Sequence, residues 1–158
     1  FWKNVYGFDF GPIGEAVDSA LTCRTDPLVF VAQQEGILST PIELFQFDCS
    51  SVTAEYLKEF DKKVTLKMTR GGQMHGICFW FDVSFDVRNA NHVTHAPPLG
   101  RVVFSTSPSS EPTHWMQSTV MLPQAPRVEE GERVDCHVQL RKSCINNRNY
   151  TIALNFPK

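Results

Sequence analysis

Gly76-Ile77-Cys78-Phe79-Trp80-Phe81-Asp82-Val83-Ser84-Phe85 is the stretch on which the fold class turns. Ile77, Phe79, Phe81, Val83 and Phe85 alternate onto one face, which is the period of a strand. Cys78, Trp80, Asp82 and Ser84 take the other face. Over residues 77–81 both faces are apolar, which predicts a central strand covered on both sides.

Working outward, most of the chain repeats this period. Toward the N-terminus, Val64, Leu66 and Met68 alternate, and Arg70-Gly71-Gly72 turns the chain. Pro41 opens a further run, Ile42 to Cys49, whose alternation slips at Leu44-Phe45 as a bulge does. Between them, residues 53–60 read as one or two helical turns with Thr53 as the N-cap. Toward the C-terminus, Arg101 to Thr106 and Met116 to Leu122 are short strands. Glu129-Glu130-Gly131-Glu132 is an acidic bend. Val134, Cys136, Val138 and Leu140 alternate, Asn146-Asn147 marks a hairpin turn, and Tyr150, Ile152, Leu154 and Phe156 alternate after it. About seven or eight strands separated by turn signals predict a mainly β fold, an antiparallel barrel or sandwich.

One segment departs from this period. Pro12 suits a first helical turn, and Ile13, Ala16, Val17, Ala20 and Leu21 fall on one helical face. A short helix with such a face must pack on something. Either it forms an interface or it lies on its own barrel; the pattern is compatible with both.

At 158 residues the chain is one domain, long enough to bury a core. A net charge of −2 gives no reason to expect nonspecific nucleic-acid or membrane affinity, and no apolar run has spanning length. Five widely spaced cysteines without a CxxC pair argue against a zinc cluster. They read as reduced thiols of a cytosolic or nuclear protein, with a disulfide framework as the alternative. His92 and His95 lie in a polar stretch, 86–100, that reads as a mobile loop, and no further metal ligands are within reach. His75 reads as a structural residue at a strand start, and Trp80 as core or interdomain packing.

The candidate site is the loop Glu111-Pro112-Thr113-His114-Trp115-Met116-Gln117, introduced by Ser107-Pro108-Ser109-Ser110. His114 can move a proton or orient a carboxylate near neutral pH, and Trp115 offers a flat face to a cation. A solvated histidine beside a tryptophan folded onto a barrel rim is the plainer reading.

Three motifs in order extend this reading. Ser105-Thr106-Ser107-Pro108 with Thr113-His114-Trp115-Met116-Gln117 resembles the "STSP…THWKQ" segment of protein arginine methyltransferases. Phe1-Trp2-Lys3-Asn4-Val5-Tyr6-Gly7-Phe8-Asp9 is similar to the "FWxNVYGxD" segment that follows their catalytic domain. Residues 75–83 are similar to their "HGxxFWFDVxF" strand. The resemblance covers nearly the whole chain and implies that residues 1–158 are the family's C-terminal β-barrel, with residues 8–40 as a helical arm insertion. It implies dimerisation through that arm, on Ile13, Val17 and Leu21, giving a homodimer.

Further expectations follow from the same resemblance. S-adenosylmethionine and the paired substrate-gripping glutamates belong to a domain before "FWxNVYG", so this chain reads as a fragment that lacks the cofactor site and is inactive alone. Methyl would pass to guanidinium nitrogens of arginine-containing protein substrates. His114 would pair with an aspartate of the missing domain and hold the site or relay the proton. Trp115 would line the arginine pocket and Thr113 would shape the loop. Met116 stands where many members have Lys. The Thr-His-Trp form is commoner in the asymmetrically dimethylating branch, type I. Localisation is expected in the nucleus, the cytoplasm or both. A noncatalytic β-barrel scaffold is the competing reading. A β-barrel hydrolase using His114 is the weakest, because no Ser or Cys nucleophile is placed beside it by any motif.

Overall fold

A strong apolar alternation secures a strand only where the backbone on either side can also be paired. The 76–85 stretch shows the consequence. In the computed structural model, which describes residues 2–23, 26–85, 101–146 and 148–157, it is divided between two partners.

The chain begins with a tight turn in which Val5 and Phe8 bridge each other, with Tyr6 and Gly7 at positive φ. The helix α1, Gly11–Thr22, follows, with Pro12 in its first turn as expected. Its buried residue is Gly14, where a Cβ would stand 2.5 Å from the Trp2 ring. Its apolar stripe does not lie on the barrel: Ile13 is 51% and Val17 37% exposed.

The strands are β1 (Leu28–Phe30), β2 (Glu59–Lys67), β3 (Gly72–Gln73), β4 (Gly76–Phe79), β5 (Asp82–Phe85), β6 (Val102–Ser105), β7 (Gln117–Met121), β8 (Arg127–Val128), β9 (Arg133–Lys142) and β10 (Tyr150–Asn155). All pairings are antiparallel. One sheet runs β1-β7-β4 and another β10-β9-β2, with β3-β8 and β5-β6 as two-stranded ribbons. Short backbone bonds between the ladders, such as Met74 N–H to the Pro126 carbonyl (2.9 Å) and Leu122 N–H to the His75 carbonyl (2.9 Å), link the β3-β8 ribbon to the β4-β7 ladder. Met68, Met74, Leu122 and Val128 form the buried core, with Leu38, Leu66, Ile77, Val134, Leu154 and Phe156 packed around them.

Several expectations need correction. The 76–85 stretch is not one central strand: β4 pairs with β7, β5 pairs with β6, and β4 lies at the edge of its sheet with β7 in the centre. The break at Trp80-Phe81 comes from Thr106, whose hydroxyl accepts from the Phe81 N–H (3.1 Å) and donates to its carbonyl (2.9 Å). Phe81 and Phe85, placed by alternation on a buried face, are 44% and 56% exposed. The run from Ile42 to Cys49 forms no strand. Phe45 and Phe47 instead pack their rings on Phe60 of β2, at 4.7 and 6.5 Å between centroids, so side chains rather than a ladder hold it.

The helical turns expected over 53–60 contract to a 3-10 turn, Tyr56–Lys58. Its N-cap is Glu55 and not Thr53 as expected; Thr53 Oγ1, two residues earlier, accepts from the Tyr56 N–H (3.2 Å), and Glu59 and Phe60 already belong to β2. The acidic bend stands as read, with Gly131 at φ 83° and the Glu132 carboxylate accepting from the Glu129 N–H (2.7 Å). The stretch expected as an arm is divided: α1 carries the exposed stripe, whereas β1 is paired to β7 within the barrel. All five cysteines are free thiols. His92, His95 and the loop they were read in lie outside the described residues, as does Asn147 of the hairpin turn.

Candidate functional site

The loop from Thr106 to Met116 joins β6 to β7, and its shape is decided at its two ends. At the entrance, the Ser107 N–H donates to Ser105 Oγ (3.1 Å), and Ser107 Oγ lies within hydrogen-bond distance of the Ser109 and Ser110 hydroxyls. At the exit, the Met116 N–H donates to the Thr113 carbonyl (3.1 Å) with Met116 at φ 53°. A non-glycine residue in the left-handed region is unfavourable in isolation and persists only where its surroundings hold it.

The holding groups are polar and buried. Gln117 is 3% exposed. Its Oε1 accepts from the Ala32 N–H just past β1 (2.7 Å), and its Nε2 donates to the Thr106 carbonyl at the loop's start (2.7 Å). Thr106 is itself clamped to Phe81. A single chain of hydrogen bonds therefore ties the end of β1, both ends of the loop and the β4–β5 break. The two Gln117 bonds are buried, so each must be made or its partner is left at a cost; the Phe81 bonds are part-buried.

On this base the turn projects His114 and Trp115. The two rings lie 3.8 Å apart between centroids at 34°. Trp115 presents its edge-on contacts to Phe81 (6.0 Å, 79°) and Phe104 (5.4 Å, 75°), geometries favoured by the ring quadrupoles. Half of Trp115 remains exposed, at 50%. The Thr113 hydroxyl is buried without a hydrogen-bond partner among the described residues. Phe81, Phe85 and Val102 extend an exposed apolar surface beside it, with Phe85 and Val102 as cross-strand partners on one face of the β5-β6 ribbon.

The arrangement offers an imidazole packed at a tilt against an indole, an aromatic face for a planar cation, and an apolar margin. It brings Thr113, His114 and Trp115 together in one turn. Ile13, Val17 and Leu21 lie on α1, a separate element. No carboxylate hydrogen-bonds His114 among the described residues. Gln117 and Thr106 stand in the quoted motif, but no role was read for them. The signal available was a polar residue at each end of an apolar strand run, which alone does not say what it binds.

A cavity of about 420 Å³ lies elsewhere, over β2 and β9, lined by Lys63, Thr65, Asp135, His137 and Asn155. Outside its lining, on the same two strands, Asp61 accepts from His137 Nε2 (2.7 Å) and Gln139 Nε2 (2.6 Å). Those bonds, Gln139's first, hold its carboxyl below the ordinary carboxylate value. None of the loop residues lines this cavity.

Residues 1–158 match the family model described as the arginine methyltransferase oligomerization subdomain. The chain is 29% identical to a probable protein arginine N-methyltransferase 6 of Arabidopsis thaliana, over 99% of this chain and 41% of that protein. It is 27% identical to protein arginine N-methyltransferase 1 of Saccharomyces cerevisiae, over 99% and 40%. The chain thus spans about two fifths of the length of these curated relatives. Its fold superposes with a TM-score of 0.72 on the Trypanosoma brucei PRMT1 enzyme–prozyme heterotetrameric complex with AdoHcy, at 25% identity over 98% of this chain and 44% of that one.

Proposed function

Because this chain belongs to the arginine methyltransferase oligomerization subdomain family, we propose that it serves as the barrel and dimerisation part of an S-adenosylmethionine-dependent protein arginine N-methyltransferase. The observation that carries the reading is the family match over residues 1–158, with the Thr113-His114-Trp115 turn built where the motif stands. Substrates are arginine-containing proteins, and the product branch is type I. The working place is the nucleus, the cytoplasm or both.

S-adenosylmethionine is assigned to a domain outside this chain. Among the described residues, α1 is preceded by the Val5–Phe8 turn and not by a strand and glycine-rich loop. The fit to a nucleoside is therefore poor here, and no step is routed through it. This chain supplies one wall of a shared site. Trp115 lines the guanidinium's path with its exposed face. His114, packed against Trp115, is the catalytic residue of this wall: it engages an aspartate of the neighbouring domain and holds the site or relays the proton released when the nitrogen is alkylated. Thr113 closes the turn that aims both rings. The apolar surface of Phe81, Phe85 and Val102 is the seat of that domain. Ile13, Val17 and Leu21 form the dimer contact on α1.

The test uses the full polypeptide that contains this sequence, with labelled S-adenosylmethionine and an arginine peptide. His114→Ala and Trp115→Ala should each lower methyl transfer by roughly tenfold to a hundredfold, the scale set by misplacing a reacting group, while circular dichroism stays unchanged. Normal turnover by both variants sinks the assignment of the turn.

A further inference from the structure

The aromatic residues gathered on Phe60 leave a notch that the proposed reaction does not use. Phe60 is 9% exposed and touches four rings: Phe45, Phe47, Tyr56 and Tyr150. Phe47 lies near-parallel to it (20°), whereas Tyr56 meets it edge-on (80°). The two outer rings are therefore steeply inclined to each other. They are 46% and 52% exposed and wall a cavity of about 330 Å³ with Gln46, Asp48, Val52 and Thr53. No lysine or arginine is among these lining residues.

The walls are held before any ligand arrives. Thr53 Oγ1 accepts from the Tyr56 N–H (3.2 Å) at the start of the turn that carries that ring. The Tyr150 hydroxyl donates to the Leu57 carbonyl (2.5 Å) at the middle of that turn. Asp48 Oδ1 accepts from both the hydroxyl (2.7 Å) and the N–H (2.8 Å) of Ser50, which fixes the carboxylate and holds it below the ordinary carboxylate value. Its other oxygen has no hydrogen-bond partner among the described residues.

Two inclined ring faces and one fixed carboxylate, with no competing cation in the lining, are complementary to a flat organic cation. A guanidinium fits better than an ammonium. It is planar, more weakly hydrated, and can lie on a ring while donating to a carboxylate in its own plane. From this geometry we propose that the Phe47–Asp48–Tyr56 notch binds an arginine side chain of a polypeptide, as a docking subsite separate from the Thr113-His114-Trp115 turn. That the polypeptide is the methylation substrate rests on the function proposed above; the cation preference does not.

The test uses the full polypeptide and two dye-labelled probes, Gly-Arg-Gly-Gly-Arg-Gly and its Lys counterpart. Hydrogen exchange should show protection of residues 46–58 by the arginine probe and little by the lysine probe. Asp48→Asn keeps the Ser50 acceptor and removes the charge, and should weaken the arginine probe about fivefold to tenfold. Tyr56→Leu should weaken it similarly by removing a ring face, and it remains informative should Asp48→Asn disturb its turn. Methyl transfer to a peptide with a single arginine should be unchanged in both variants. Equal protection by the lysine probe, or none over 46–58, overturns the proposal. Methylation with no protection there removes the notch and spares the enzyme reading; protection without methylation does the reverse.

Discussion

Gln117 shows how one side chain can set a site without touching a substrate. Its amide satisfies the Ala32 N–H and the Thr106 carbonyl, two groups 85 and 11 positions away in sequence. Gln117→Ala leaves both without that partner and opens a void. The expected loss is roughly 2–4 kcal/mol, read as a lower denaturation midpoint together with faster exchange of the Ala32 amide. Asp61 carries a second residue-scale prediction. Its folded value is depressed by Gln139 and His137 below the unfolded one. The stabilisation is therefore fully present above the ordinary carboxylate range and is lost as pH falls through the depressed value. Asp61→Asn should flatten the stability profile between about pH 4 and that lower value, and leave its neutral-pH shape alone. Thr113, His114 and Trp115 could be read in sequence as a loop with chemistry in it. Gln117's partners could not, because hydrogen bonds across 85 positions leave no local trace.

Among the elements, α1 keeps its helical character and its face is where the period placed it. What the period did not decide is what covers that face. Ile13 and Val17 are exposed on the single chain, and the proposed occupant is a second copy. Ile13→Asp with Val17→Asp should reduce the light-scattering mass of the full polypeptide from dimer toward monomer, since two buried charges without partners oppose association strongly. An unchanged mass removes the arm from the account. The strand of 76–85 is the opposite case. Its apolar period is genuine, yet Thr106 takes both backbone groups of Phe81 and the stretch serves two partners. The Ile42–Cys49 run fails as a strand for a related reason: its rings find Phe60 while its backbone finds no ladder.

For the whole molecule, the apolar residues around the Trp115 turn form one continuous consideration. Phe81, Phe85, Val102 and Trp115 are each 44–56% exposed. Under the proposed function this surface is covered by a neighbouring domain. The 158-residue chain by itself should bind a hydrophobic dye strongly and self-associate without a defined stoichiometry, while the full polypeptide should do neither to the same degree. Equal dye binding by both would mean that the surface is not covered by a neighbouring domain.

The sequence by itself determined the β class, a helix carrying Pro12 to Leu21, the acidic bend and the residues of the candidate turn. Each depends on local period or turn chemistry, which neighbouring residues carry. Only the tertiary structure decided that 76–85 is broken, that β7 and not β4 is central, and that Gln117 and Thr106 hold the turn. Those outcomes depend on which distant backbone groups reach one another first, and pairing choices of that kind are made by the folded chain as a whole.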